Sequence, residues 1–369
     1  MNGHAARQGI SRVLQLHGCG TLGWRPTARA AVLAVLALGA IAQQTWAATG
    51  GPIEQATLEI AAVRDPQLGA QVAIADTLGY FKDEGLNVTV RWTQSGADII
   101  TFMAGGNQNI GTGGTFTEVV LKAQNFPILT IAQLADISGT QGIALSPGIK
   151  LGNPKELEGK RLAFTQGNSQ VIILAKMAKQ FGFDQGKVTL VNLNPSEGVV
   201  AASKGDVDGL MGWQPNLHRL VKLGGAMYAT GRISYVTGSA EVLSTERRFQ
   251  FNNAVLLASE AWIKDKPNTL KAVLRALNRA TDLINRDRNA ALRVLEKEIR
   301  VDRDALEVMV NANVYSLALN DDVATSIKDM SDWALGIKRI PRAVTPDEGI
   351  HTKLLEEVDP KLVSWRPKR

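Results

Sequence analysis

The 369-residue chain is poor in the residues that do covalent chemistry. It has one cysteine, Cys19, and four histidines, of which only His218 and His351 follow residue 47. Beyond that point no thiolate nucleophile exists and no soft-ligand zinc site can be assembled. No G-x-S-x-G elbow, P-loop or H-E-x-x-H motif is present. Low-complexity tracts and solenoid-type repeats are missing as well. Charge of one sign is scarce in the body of the chain. The formal net charge is +6, from 41 basic against 35 acidic residues, but residues 1–47 hold Arg7, Arg12, Arg25 and Arg29 and no acid. Setting those four aside leaves 37 against 35, or +2, and Arg366, Lys368 and Arg369 crowd the extreme C-terminus. A near-neutral body without an aromatic-studded basic stripe argues against nucleic-acid binding.

The balance of 45% hydrophobic and 21% charged residues is that of a globular protein. The length suits two domains and leaves room for a third. Ala30 to Ala42 is an uncharged apolar run of thirteen residues, preceded by Arg25 and Arg29 and followed by Thr45 and Ala47 at small-residue spacing. Spanning a bilayer takes about 20 such residues, so residues 1–47 read as a secretory signal peptide, cleaved near Ala47 or Ala48. Leu16-His17-Gly18-Cys19 has the outline of a lipid-attachment box, but no apolar segment precedes it.

Beyond the leader, strands and helices alternate. Strands are expected at 56–64, 86–92, 109–112 and 128–134, and helices over 71–82, from Ser95, and from Thr115. The pattern restarts near 141, with strands at 161–165, 188–193 and 209–212 and a helix ending at Phe181. Asn194-Pro195-Ser196-Glu197 has a cap residue, a proline in the first turn and an acid three residues on, which starts a helix. Asn253–Ser259 is strand-like. After Pro267 the chain turns helical, with Leu270, Val273, Leu274, Leu277, Ala280 and Ile284 on one face. Further helices are expected at 289–300, 302–311 and 321–338, and Thr345-Pro346-Asp347-Glu348 opens the last. Alternation of this kind implies an α/β fold with mainly parallel sheets, and ligands in such sheets bind beyond the carboxyl ends of the strands. The organisation expected is 48–141 plus 251–345 as a discontinuous first lobe, 142–250 as a second, and 346–369 as a C-terminal helix and tail.

Five segments in order carry a resemblance. Leu78-Gly79-Tyr80-Phe81 with Glu84-Gly85-Leu86-Asn87-Val88 comes first, and Met103-Ala104-Gly105-Gly106 through Gly111-Thr112-Gly113-Gly114 second. Leu157-Glu158-Gly159-Lys160-Arg161-Leu162-Ala163 is third. Gly205-Asp206-Val207-Asp208-Gly209 with Trp213-Gln214-Pro215 is fourth, and Ala258-Ser259 with Pro267 fifth. Over roughly 55 to 340 the chain resembles the type II periplasmic solute-binding proteins of the nitrate/sulfonate/taurine (NMT1-like) branch. The resemblance implies a two-lobed binding-protein fold and an extracytoplasmic role without cofactor. It also implies a small, anionic ligand, permease and ATPase subunits of an ABC importer as partners, and a monomeric chain. Relatives of the fold make the thiamine pyrimidine with a reactive histidine and a cysteine-rich motif. The only cysteine here precedes the apolar leader, which weighs against that chemistry.

Candidate ligand residues lie where helix N-termini offer unpaired N–H groups and a positive dipole end. Gln166-Gly167-Asn168-Ser169 and Thr112-Gly113-Gly114-Thr115 are two such starts, one from each lobe, and Ser95-Gly96 is a third. Each also reads as an ordinary cap or tight turn. At Asn194 capping is explanation enough. Arg64 can pair with an anion or be neutralised by Asp65, and Gln67 follows it in the same connection. Trp213, with Gln214 beside it, either walls the cleft or packs in the core.

Overall fold

The computed structural model describes residues 51–166 and 168–367. Residues 1–50, Gly167 and 368–369 lie outside the described residues, and with them the expected leader at 1–47 and Cys19.

Two sheets organise the chain. The first is built from β1 (Thr57–Val63), β2 (Asn87–Thr93), β3 (Ile110–Gly114) and β4 (Ile128–Asp136), joined by α1 (Ala70–Thr77), α2 (Tyr80–Asp83), α3 (Gly96–Ala104) and α4 (Thr115–Ala123). The second holds β5 (Gln141–Leu145), β6 (Arg161–Phe164), β7 (Thr189–Asn192), β8 (Gly209–Trp213), β9 (Ala226–Thr230), β10 (Ile233–Ser234) and β11 (Glu241–Val242). Its helices are α5 (Val171–Phe181), α6 (Pro195–Lys204) and α7 (Asn216–Lys222). The chain then returns to the first sheet through β12 (Asn253–Ser259) and continues as α8 (Glu260–Asp265), α9 (Pro267–Arg286), α10 (Arg288–Ile299), α11 (Arg303–Ala312), β13 (Val314–Ala318), α12 (Asp321–Gly336), α13 (Pro346–Gly349) and α14 (Lys353–Val358).

The expected α/β class is found. The expectation of mainly parallel sheets needs correction, because both are mixed. The first runs β13-β4-β12-β3-β1-β2 and the second β11-β10-β9-β5-β8-β6-β7. Only β1–β2 and β1–β3 are parallel neighbours in the first, and only β6–β7 and β6–β8 in the second. The strands that cross between sheets cause this. β12 inserts antiparallel between β3 and β4, and β5 antiparallel between β8 and β9.

Period-two alternation builds a core on both faces of each sheet. On β1, Ile60 and Ala62 face one cluster, Ala61 and Val63 the other; on β12, Ala254, Leu256 and Ala258 oppose Val255 and Leu257. The larger cluster takes the buried stripe of α9, where Leu270, Val273, Leu274, Leu277, Ala280 and Ile284 are each fully buried. Leu162 and Leu210 likewise fall on opposite faces of the second sheet.

Local signals account for several ends. Asn194 accepts from the Glu197 N–H (3.0 Å) while Glu197 accepts from the Asn194 N–H (3.3 Å), the reciprocal capping box of α6. The helix expected over 71–82 is two pieces, because Gly79 takes φ 75 and breaks it. The helix opened by Thr345 is a single turn, with α14 following separately. A strand interrupts the helical C-terminal region: β13 pairs with the edge of β4.

Candidate functional site

A cleft of about 1180 Å³ opens between helices that pack on the first sheet and the β6–α5 connection of the second. Its first wall is the start of α3, with Ser95, Gly96, Ile100 and Thr101. The second is the outer side of α4, with Phe116, Thr117, Val120 and Gln124. The end of α12 brings Trp333, Ile337, Lys338 and Arg339, and the second sheet contributes Phe164, Gln166, Asn168 and Val171.

Glycines set how closely these walls approach. A Cβ on Gly113 would sit 2.8 Å from the Thr117 Cβ, and one on Gly96 would sit 2.7 Å from the Thr117 hydroxyl. Both glycines therefore let the first turn of α4, and the start of α3 beside it, close up behind the cleft surface. Phe116 meets Trp333 edge-on with ring centroids 5.5 Å apart, a favourable aromatic arrangement. The Trp333 indole N–H is buried without an acceptor among the described residues.

Electrostatically the cleft is one-sided. None of the described lining residues is a carboxylate. Lys338 and Arg339 are exposed and pair with no acid among the described residues. They follow the C-terminus of α12, where the helix dipole favours cations, and Lys338 itself takes the left-handed conformation at φ 59.

Of the expected residues, Ser95, Gly96, Gln166 and Asn168 line this cleft together. Ser95 also caps α3. Asp98 accepts from the N–H groups of Gln94 and Ser95, each at 3.0 Å, so a carboxylate of the chain already occupies that helix start. Thr112, Gly113, Gly114 and Thr115 lie behind the wall. The Thr112 hydroxyl is fully buried and accepts from the Val63 N–H at 3.3 Å, and Thr115 bonds the backbone of Asn253 and the hydroxyl of Ser326. Arg64 points elsewhere. It donates to the Glu298 carbonyl at 2.9 Å and stacks over Trp92 at 4.9 Å. Asn194 is an exposed cap. Trp213 is half-buried at the end of β8.

A second grouping is a buried polar seam where the two sheets' connections meet. Gln67 accepts from Thr140 (2.5 Å) and Gln141 (3.2 Å), and Gln170 donates to Gln141. Gln250 donates to the Ser169 carbonyl (2.9 Å) and hydroxyl (3.2 Å). Gln214 holds the Thr140 carbonyl through its N–H (2.9 Å) and accepts from the His218 N–H (2.9 Å). So Gln67 reaches from the β1–α1 connection to the second sheet's segment, where it also donates to the Gln214 carbonyl at 3.5 Å, while Ser169 is held by Gln250.

Phe116, Phe164, Trp333, Lys338 and Arg339 were absent from the sequence expectation. The available signal was an aromatic and two adjacent cations at the end of the 321–338 helix.

The profile described as NMT1/THI5 like matches residues 69–291, well over half of the chain. The chain belongs to the NMT1/THI5-like family. Within this family member, a segment of 155 residues is 31% identical to the taurine-binding periplasmic protein of Escherichia coli (strain K12), covering 42% of this chain and 48% of that one. A 222-residue segment is 23% identical to a 4-amino-5-hydroxymethyl-2-methylpyrimidine phosphate synthase of Aspergillus parasiticus, covering 58% and 62%. The matched segments thus span about half to two thirds of those relatives. In fold, the chain superposes on the periplasmic aliphatic sulphonate binding protein SsuA from Escherichia coli with a TM-score of 0.69 at 16% identity, over 81% of this chain and 92% of that one. The two-lobed periplasmic binding protein architecture is therefore shared.

Proposed function

We propose that this family member is the substrate-binding component of an ABC importer, capturing a small anionic solute in the cleft between its two halves. The observation that carries the reading is the cleft itself. It is walled by elements of both sheets, carries two cations that pair with no acid among the described residues, and presents amide and hydroxyl side chains from Ser95, Thr117, Gln124, Gln166 and Asn168.

A ligand touching both walls contacts its full set of partners only when the halves are close. It therefore binds the closed form with higher affinity and draws the population toward it. The closed form is what a membrane permease would read, with an ATPase driving release. The apolar run at 30–42 supports export of the chain to the periplasm. The likeness to a taurine-binding protein and to a sulphonate-binding fold supports the anion class.

Thermal unfolding of the protein lacking residues 1–47 tests this against sulfonates, nitrate, aromatic acids and pyrimidines. A ligand at about 100 times its Kd adds roughly 2.7 kcal/mol of stability. A shift with one anion class supports the proposal, and shifts with cationic ligands alone refute it. The matched pyrimidine phosphate synthases favour a second reading, a pyrimidine-handling protein of the same fold. Pyrimidines as the sole stabilising ligands would select it.

A further inference from the structure

We infer that the cleft selects an anion with an aromatic body and no cationic group, its ring held among Phe116, Trp333 and Phe164 and its charged head set against Lys338 and Arg339. This rests on the proposed solute-binding role and narrows it to one ligand class.

Three observations converge. First, the wall is bipartite. The aromatic pair Phe116–Trp333 stands on the side of the first sheet, and Phe164 ends β6 of the second. A flat apolar body between them would bury aromatic surface on both sides at once, which is where ring–ring contacts contribute beyond area alone. Second, the cleft is large. At about 1180 Å³ it exceeds the upper end of ordinary small-molecule sites, about 1,000 Å³. Nitrate or methanesulfonate would touch one wall and leave the aromatic faces wet, so neither would reward closure. Third, the charges have one sign. An amino-sulfonate carries an ammonium that needs a carboxylate or several acceptors, yet no acid lines the cleft among the described residues, and Asp98 is committed to the start of α3. Lys338 and Arg339, by contrast, have no acidic partner among the described residues to give up when an anion arrives. Arg339 adds a planar fork suited to a carboxylate or a sulfonate.

The test is calorimetric titration of the protein lacking residues 1–47 with 2-naphthalenesulfonate, benzoate, methanesulfonate, taurine, nitrate and naphthalene-2-methanol. The two aromatic anions are expected to bind at least tenfold more tightly than methanesulfonate or taurine, and the neutral naphthalene derivative more weakly than its sulfonate. Lys338→Asn, which keeps a residue tolerant of the left-handed backbone, and Arg339→Gln should each weaken the aromatic anions about threefold to tenfold, with unchanged melting temperatures. Trp333→Leu should weaken the aromatic anions and leave any nitrate binding unaltered. If taurine, methanesulfonate or nitrate binds most tightly, the aromatic selection is wrong while the solute-binding role stands. Aromatic anions that bind equally well to the Lys338 and Arg339 variants also overturn the assignment. If no compound binds, the role and the selection fail together.

Discussion

Glu118 offers the sharpest quantitative test. It sits on α4, directly beneath the cleft-wall residues Phe116 and Thr117, and is fully buried. One carboxyl oxygen accepts from the Thr130 hydroxyl at 2.7 Å; the other has no hydrogen-bond partner among the described residues and faces Gly349 so closely that a Cβ there would lie 2.3 Å from it. Burial pushes this carboxyl up to about 8 from its usual 4.5, against smaller opposing pulls from Thr130 and Lys122. Between those two values the native state keeps a proton that the unfolded chain has released. Stability from this group is therefore complete below about pH 4.5 and falls as pH rises toward 8. The gap between those two values corresponds to about 5 kcal/mol in full, of which roughly 3 kcal/mol falls between pH 5 and pH 8. Glu118→Gln keeps the shape and removes the titration. Urea denaturation at pH 5, 6, 7 and 8 should find the two proteins within about 1 kcal/mol of each other at pH 5 and the variant more stable by roughly 3 kcal/mol at pH 8. Asp65, raised to about 6 by burial, leaves a residual slope in both. Parallel pH profiles for the two proteins would show that Glu118 is ionised in the native state and would refute the reasoning.

Three further outcomes are expected. Gly113→Ala places a methyl 2.8 Å from the Thr117 Cβ and should cost about 1–3 kcal/mol in thermal unfolding; an unchanged Tm would mean that α4 has slack at its first turn. Leu277→Ala, in the fully buried stripe of α9, should cost about 2–5 kcal/mol by urea denaturation, and a loss under 1 kcal/mol would contradict the packing of α9 on the first sheet. Asp329→Asn breaks the pairing of α12 with Lys176 on α5, worth at most about 1 kcal/mol, and Asp304→Asn releases His218 and Lys222 on α7. The double variant should show a larger radius of gyration by X-ray scattering without ligand, and identical profiles would deny these pairs any part in holding the halves together.

What was legible in the sequence was whatever a few neighbouring residues decide. The capping box at Asn194 and the stripe on α9 are read within one to five turns of chain, and both stand as expected. The strand expected at 86–92 is β2 (Asn87–Thr93), although as an edge strand it is only half-buried. β13 escaped because five residues, Val314-Tyr315-Ser316-Leu317-Ala318, sit between two helices and gain strand form only from the edge of β4. Ladder direction escaped because nothing local to β12 records that it runs between β3 and β4. The cleft escaped for the same reason at greater range. Phe116 and Trp333 are 217 residues apart, and only the return of α12 onto α4 makes them neighbours. The residues that local reasoning singled out as helix starts were mostly satisfied from within, Ser95 by Asp98 and Thr115 by Asn253 and Ser326. A cap and an anion site use the same N–H groups, so a strong cap signal counts against a ligand there.

The chemistry of the seam between the halves bears on how the proposed closure would be driven. Gln67, Thr140, Gln141 and Gln170 meet side chain to side chain, and the flanking contacts include the ion pairs Lys176–Asp329 and Lys222–Asp304 and the more buried pairs of Arg248 with Asp136 and Asp322. An amide pair exchanged for water changes free energy by only about 1 kcal/mol, and a largely solvated ion pair such as Lys222–Asp304 by less. An apolar seam of the same extent would hold the halves shut at all times, since each buried aliphatic side chain is worth about 1.5–3 kcal/mol. Under the proposed binding role, a polar seam of this kind ties the halves less firmly than an apolar one would, which leaves more of the closure to whatever fills the space beside Phe116 and Trp333. Such a seam suits the proposed role of taking up a solute and letting it go, with the ligand supplying the apolar area that firm closure needs.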